Sequence, residues 1–456
     1  MSFRGNTDFH AGNARIAVIG SGISGLSAAW LLSQSKDVTL FEAEARAGGH
    51  SNTVDVETIT GKTSVDTGFI VYNDKNYPNL VALFDHLGVP TEASDMSFSA
   101  SLDGGRFEYS GSGLSGLLSQ RTNVISPRFW SMLSGILRFY REAPETLNRP
   151  DIANLSLGAF LDKEGYSRTF IEDHLLPMGA AIWSTTASEM RAYPLEAFIR
   201  FFANHGLLLL KDRPQWRTVT GGSRAYVKRL LGAFSGTLRF GLPVVEIRRD
   251  DLGVTITCAN GQSDRFAQVV IATHADQTLR LLADPDSEEQ NLLGSFGYTE
   301  NTAVLHSDPG LMPKRKAAWA SWNYIGEKRG NGKEQLCVTY WMNRLQNLKT
   351  DVPLFVTLNP SREIDARNIH KSFDYTHPLF DGNALAAQAN LWQLQGRRRT
   401  WFCGAYFGSG FHEDGLQSGL AVAEELGGMK RPWTLENPSD RIVGPEQRPE
   451  MRIAAE

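Results

Sequence analysis

The chain has 456 residues, more than one ordinary core holds, so two domains are expected. With 41% apolar and 21% charged residues it reads as a folded protein, and a net charge of −4 offers no basic surface for nucleic acid. Its three cysteines, Cys258, Cys337 and Cys403, form no CxxC pair, which argues against a disulfide framework or a metal knuckle and fits a reducing, cytoplasmic compartment.

Met1 to Ala14 is polar and lacks the apolar stretch of a secretory signal. No apolar run, Leu207 to Leu210 included, approaches a membrane span, so a soluble protein is expected, one still open to contact with a membrane surface. Arg15-Ile-Ala-Val-Ile-Gly20 predicts a short buried strand, apolar and β-branched, ended by glycine. Gly20-Ser-Gly22-Ile23-Ser24-Gly25 leads into a helix through Leu32, and a second strand, Val38 to Phe41, ends in Glu42. This order is that of a dinucleotide site. Gly20 permits the tight turn, Gly22 lets backbone approach a pyrophosphate, and Gly25 lets the helix pack on the strand. The helix start offers N–H groups and a positive dipole end to phosphate, and Glu42, 22 residues after Gly20, suits ribose hydroxyls.

Ala43-Glu-Ala-Arg46-Ala-Gly48-Gly49-His50 and Val65-Asp66-Thr-Gly68 follow. From Phe98 to Gln215 helices are expected, with Pro127 to Leu137 and Pro194 to Phe202 starting on proline and carrying apolar residues at helical spacing. Within that stretch Gly111-Ser-Gly113-Leu-Ser-Gly116 repeats the glycine pattern. It follows Arg106-Phe-Glu-Tyr109, not an apolar strand, and no acid-ended second strand comes after it, so a flexible loop is predicted. Thr220-Gly221-Gly222-Ser223 opens a helix through Leu231, and Val244 to Ile247 and Val269 to Thr273 read as strands. Between Gly297 and Gln395 strands are predicted at Thr302 to His306, Ala317 to Tyr324, Leu336 to Trp341 and Leu354 to Leu358. Phe402-Cys-Gly404 is a strand end, and Gly415-Leu416 opens a helix through Glu424. Beyond Gly427 a proline- and charge-rich tail is expected to wrap the surface or stay mobile.

The E-x-x-x-R-x-G-G run starting at Glu42, with the later segments in the same order, resembles the signature of flavin-containing amine oxidases, phytoene desaturases and protoporphyrinogen oxidases. The resemblance spans nearly the whole chain. It implies an α/β fold: a Rossmann-like, glutathione-reductase-like FAD-binding domain built from 14–94, 217–285 and 399–426. An inserted α+β substrate domain would comprise 98–215 and 297–395, followed by a tail, 427–456. The implied cofactor is FAD, touched by Gly20, Gly22, Ile23, Ser24, Gly25, Glu42 and Ala43. Arg46, Gly48 and Gly49 would cover the pyrophosphate, and His50 stands where the family usually has arginine. Gly68 lies at the next cofactor-side turn, Val245 in the strand whose backbone meets adenine. Gly404, Gly415 and Leu416 would lie beside the ribityl chain and the flavin's pyrimidine edge, where a helix dipole steadies a reduced flavin. One dinucleotide site without a second sends electrons to oxygen, a quinone or a protein carrier rather than to a nicotinamide.

His306, Tyr340 to Gln346, Tyr375 to Asp381 and Gly404 to Gly415 are also similar to a bacterial flavoprotein group encoded beside cyclopropane-fatty-acid-synthase-like methyltransferases. That likeness implies dehydrogenation of an apolar substrate, a methyl-branched or unsaturated fatty acyl chain of membrane lipid, by hydride transfer to flavin N5. Amine oxidation to imine and hydrogen peroxide stays open, as does a non-redox or structural role beside a methyltransferase. Amine oxidases place a cage aromatic where this chain has His412, and an acid where it has Tyr406. His412 is therefore the candidate catalytic group, able to move a proton near neutral pH, against an equal alternative of a loop histidine bonded to backbone. Asp414 is expected to cap a helix, His306 to be a satisfied core histidine and Cys403 buried filler. Trp319, Trp322, Tyr324, Tyr340 and Trp341 would line an apolar tunnel or simply pack. Lys314 to Lys316 and Arg397 to Arg399 would be solvated faces or meet lipid head groups.

Overall fold

Five parallel strands form the centre of one half of the chain. Their spatial order is Thr237–Arg239, Val38–Phe41, Ile16–Ile19, Gln268–Ile271 and Thr400–Phe402. Numbered along the chain that order is 3-2-1-4-5, the doubly wound arrangement in which ligands bind beyond the carboxyl ends of the strands. Ile16–Ile19 and Val38–Phe41 are buried at every position, the continuous apolar runs expected of strands covered on both faces. The computed structural model describes residues 15–444 apart from 60, 153–154, 184 and 327–336. The polar segment Met1 to Ala14, Leu336 at the start of a predicted strand, and the last twelve residues of the tail lie outside the described residues.

The chain divides into two compact units. The first comprises Met1–Gly49, Val227–Phe296 and Ala386–Glu456, the second His50–Tyr226 and Gly297–Leu385. Residues 50–94 and 217–226, grouped by the family resemblance with the cofactor domain, cluster with the second unit.

In the first unit the helix Ile23–Leu32 is buried along its length and packs on the last helix, His412–Gly427. Small residues allow the approach: a Cβ on Gly415 would sit 2.8 Å from Ser24 Oγ, and one on Gly419 would overlap the Ser24 carbonyl oxygen. A three-stranded antiparallel sheet, Val244–Asp250, Gly253–Cys258 and Ser263–Phe266, completes this half. The described part of the tail packs down. Trp433 stacks on Trp30 at 6.1 Å, and Arg431 donates to the Glu424 carboxylate and the Pro438 carbonyl.

The second unit is built on a seven-stranded sheet. Its order is Ile369–Pro378, Tyr298–His306, Phe355–Leu358, Val338–Trp341, Trp322–Gly326, Phe98–Leu102 and Phe107–Ser110. Neighbours run antiparallel except Trp322–Gly326 beside Phe98–Leu102. Helices cover it, the longest being Pro127–Thr146, started by proline and capped by Ser126, whose side chain accepts from Phe129 N. Phe129, Met132, Ile136 and Phe139 form its buried stripe, each side chain contributing about 1.5–3 kcal/mol by leaving water.

Two expectations are corrected, and one strand was not foreseen. The second glycine pattern is no flexible loop: Phe107–Ser110 is a fully buried edge strand, and Gly113–Leu117 a short helix behind it. Its glycine has a packing reason, since a Cβ on Gly116 would lie 2.9 Å from the Ser110 carbonyl oxygen. The strand predicted over Ala317 to Tyr324 starts only at Trp322, because Lys316–Ala318 winds into a single 3₁₀ turn. The longest strand, Ile369–Pro378, escapes prediction. It is a sheet edge with a single buried residue, so it lacks the apolar run that marks a strand in sequence.

Candidate active site

In the first unit the glycine turn does three different things. Gly20 takes φ +98° and a Cβ there would come 2.9 Å from the Ala272 carbonyl oxygen, so only glycine makes this turn. A Cβ on Gly25 would overlap the Gly20 carbonyl oxygen, which locks the helix against the strand end. Gly22 differs: it caps the helix at φ −62° without any side-chain cap bond, and a Cβ there would meet nothing within 4 Å. Beside an uncapped helix start, that open space is where an anion's partners would lie.

The loop after the second strand folds back onto this turn. Gly48 N donates to Ser21 O at 3.0 Å, and a Cβ on Gly49 would lie 3.2 Å from Gly22 Cα. Glu42 is held in place: Oε2 accepts from Ser21 N at 2.8 Å and Ser21 Oγ at 2.6 Å, and Oε1 from Glu44 N at 2.9 Å. A carboxylate offers about four acceptor sites, so one direction stays available to a sugar hydroxyl. Arg46 donates to Gly49 O at 2.8 Å and pairs with Glu44 at 3.0 Å, and Ala43 is exposed. Val245 stands opposite no residue of the neighbouring strand, because the ladder steps from Val244 to Glu246 there. A bulge of this kind leaves backbone groups free of the ladder.

At the other end of the sheet, Gly404 is joined to the last helix by Ser418, whose hydroxyl accepts from Gly404 N at 3.0 Å. Ile23, Ser24 and Leu416 are buried between the two helices. Asp414 caps, accepting from Phe411 N at 2.8 Å and Ser409 N at 3.0 Å, with Arg441 at 2.6 Å. Tyr406 is buried against Phe296 and Phe407, at 5.3 and 5.0 Å. His412 is the first residue of the helix, and burial pulls its imidazole down to about 3. It is therefore neutral across neutral pH, below the basicity on which proton transfer near neutrality was expected. Cys403 is buried and its thiol pushed up by desolvation.

The second unit holds His50 and Gly68. The His50 ring stacks on Tyr375 at 4.9 Å and lies 5.4 Å from His377. Gly68 packs so closely on His50 that a Cβ would overlap its carbonyl oxygen. Below them is a buried hub centred on Asp66, a residue named in the sequence only as part of the Gly68 turn. Asp66 accepts from Thr53 Oγ1 at 2.6 Å, from Ser223 N at 2.9 Å and Oγ at 2.8 Å, and from Gln346 Nε2 at 2.9 Å. Burial nevertheless raises its carboxyl to about 6. His306, by contrast, meets its expectation: it is buried, with Thr357 Oγ1 at 2.7 Å and Asp308 N at 3.1 Å, and burial lowers it to about 4.

One wall of this unit is aromatic. Phe98, Trp322 and Tyr340 are direct neighbours across three strands, with Trp322 and Tyr340 in edge contact at 4.9 Å. Phe98 meets His174 edge-on at 6.3 Å. His174 sits in a single π-turn, Ile171–Leu175, a form often found at functional sites. Its Nδ1 bonds to the Tyr109 hydroxyl at 3.0 Å, and its Nε2 makes no hydrogen bond among the described residues, nor does Trp322 Nε1. Burial lowers His174 to about 3, so it too is neutral. No motif contains His174, so nothing in the sequence marks it.

A family model for flavin-containing amine oxidoreductases matches residues 23–344. The chain belongs to that family. As a flavin-containing amine oxidoreductase it is an FAD-dependent oxidoreductase. No curated protein matches it significantly by sequence. Among solved structures it is similar to putrescine oxidase bound to putrescine, at 14% identity and a TM-score of 0.66 over 91% of this chain and 99% of that one. Cyclohexylamine oxidase from Brevibacterium oxydans is similar at 17% identity and 0.65, covering 91% and 99%. A CLA-producing fatty acid isomerase from P. acnes is similar at 14% and 0.62, with the same coverage. These likenesses show a shared fold. The space beside Gly22, the uncapped helix start and the spare acceptor of Glu42 fit the family's cofactor.

Proposed function

We propose that this flavoenzyme dehydrogenates an apolar substrate, a methyl-branched or unsaturated fatty acyl chain of membrane lipid. The observation that carries the reading is the wall of Phe98, Trp322 and Tyr340 with neutral His174 beside it. A cationic amine is best held where a carboxylate stands beside the aromatic faces. Here the nearest acid in sequence, Asp173, is already spent on Arg128, at 2.7 Å. An acyl chain asks only for apolar contact, and the fatty acid isomerase among the fold relatives is in keeping with it.

Gly20, Gly22, Ile23, Ser24 and Gly25 would hold the cofactor's pyrophosphate, Glu42 and Ala43 its ribose and Val245 its adenine. Arg46, Gly48, Gly49, His50 and Gly68 would cover it, and Gly404, Gly415 and Leu416 would meet the flavin end. When bound, FAD supplies the redox step by accepting a hydride. Neutral His412 would orient a polar group by hydrogen bonding, and the electrons would pass on to oxygen, a quinone or a protein carrier in the cytoplasm. His412→Ala should then lower turnover about tenfold or more with flavin retained, and the wild-type rate should show no step between pH 5 and 8 from this residue.

The family description favours a second reading, oxidation of an amine, which would release hydrogen peroxide with oxygen as the electron acceptor. Fatty acid profiles of cells with and without the gene separate the two. A changed acyl profile supports the lipid reading. An unchanged profile, with peroxide released by the purified protein on simple amines, replaces it. Flavin that stays in one redox state throughout turnover would mark a non-redox or structural flavoprotein.

A further inference from the structure

The long helix Pro127–Thr146 is apolar over twice the arc it buries. Beside the buried stripe runs a second one, Trp130, Leu133, Leu137 and Tyr140, at helical spacing i, i+3, i+7 and i+10, none of it fully buried. Trp130 is 51% exposed and Leu137 48%. The stripe continues on both sides. Trp130 Nε1 donates to Val124 O at 2.8 Å, tying in the turn that carries Ile125, 83% exposed. At the far end burial raises the Tyr140 hydroxyl while the nearby Arg213 charge opposes it, and Arg213 donates to Leu209 O at 2.6 Å, next to exposed Leu210.

Charge singles out the same region. Residues 109–141 contain no aspartate or glutamate in a chain with 50 of them, yet carry Arg121, Arg128, Arg138 and Arg141. Arg128 is paired with Asp103 and Asp173, and both Arg138 and Arg141 with Glu142, so the exposed rim charges outside these ion pairs are Arg121 and Lys211. Asp212, Glu142 and Glu145 lie among them and moderate the effect. Exposed leucine and isoleucine, a tryptophan whose ring is half in water and an arginine rim are what the head-group boundary of a bilayer accommodates.

We propose that this face, Ile125, Trp130, Leu137 and Leu210 with the Arg121 rim, docks the protein onto the surface of an anionic phospholipid bilayer. The proposal rests on the lipid-substrate reading for its purpose, and on exposure and charge for its location. No helix among the described residues is long and apolar enough to cross a membrane, so the contact is one of lying on the surface.

Flotation of the full-length holoprotein with phosphatidylcholine vesicles, with and without a third of phosphatidylglycerol, tests this directly. Binding is read without turnover, so a failed acyl-chain reaction leaves it standing and failed binding leaves the reaction standing. The wild type should float with the anionic vesicles and bind neutral ones several-fold more weakly. The triple variant Ile125→Ser, Trp130→Ser, Leu137→Ser should lose at least about thirtyfold in affinity, and Arg121→Gln about fivefold, the effect of roughly 1 kcal/mol per basic residue near a charged surface. All four positions lie on the surface, and unchanged thermal melting and flavin content would show the variants folded. Wild type that stays with neither vesicle, a triple variant that floats like wild type, or a concentration-dependent dimer abolished by the triple change without any flotation, would each overturn the proposal.

Discussion

The two units spend their special residues differently. In the first, the candidate site is made of backbone: glycines at the strand end, a helix start without a cap, a bulge at Val245, and a carboxylate fixed by its own turn. In the second it is made of side chains from remote parts of the chain, such as Phe98, His174, Trp322 and Tyr340. A backbone site needs particular residues at particular spacings and so leaves a mark in sequence. A side-chain wall needs only apolar bulk at positions set by strand pairing, which many sequences satisfy. Shared cofactor chemistry with divergent substrates follows from that division.

The sharpest way to break the comparison is at Gly25. Gly25→Ala places a methyl group into the Gly20 carbonyl, and the first unit should lose about 3 kcal/mol or more and its flavin with it. Thermal melting and visible absorbance check this; a stable, yellow variant would mean the turn is looser than its packing indicates. In the second unit, Trp322→Leu should do the reverse. Flavin content should stay at the wild-type level while turnover of an acyl substrate drops about tenfold or more, roughly 1.4 kcal/mol of lost contact. Equal loss of flavin would blur the distinction between the units.

Acid should act on both at once. His174 and His412 are lowered to about 3 and His306 to about 4, so between pH 6.5 and 4 the unfolded chain binds protons that the folded one refuses, and stability falls as pH falls. Asp66, raised to about 6, works the other way, since the folded state keeps its proton between about pH 6 and 4. Three groups outweigh one. A net loss of up to roughly 2–3 kcal/mol per pH unit is expected across that window, read as a falling melting temperature from pH 6.5 to 4. A rising one would place Asp66 in control. Asp66→Asn should remove the opposing contribution and steepen the fall.

Much of the nucleotide half was legible because Gly20 and Gly25 are forced by contacts a few residues or one strand away. The strands at Ile16–Ile19, Val38–Phe41 and Gln268–Ile271 and the capping role of Asp414 followed the same local logic. The misreadings have a common cause. Phe107–Ser110 alternates too little to look like a strand, and is one because Phe98–Leu102 offers it an edge. Ile369–Pro378 is polar because it is an edge itself. His174 and the Asp66 hub depend on partners up to 280 residues away in sequence, a distance at which no spacing rule operates. The lowered basicity of His412 was not legible, since burial is a property of the packed chain.

The central claim is that phosphate rests in the open space beside Gly22, and one substitution isolates it. At φ −62° with nothing within 4 Å, alanine fits the fold there without strain, so Gly22→Ala should melt within about 0.5 kcal/mol of wild type as apoprotein. Titration of that apoprotein with FAD, followed by flavin fluorescence, should give an affinity at least about tenfold weaker than wild type, because the added methyl occupies the phosphate's place. A wild-type affinity in a wild-type fold would contradict the assignment of the cofactor to this helix start.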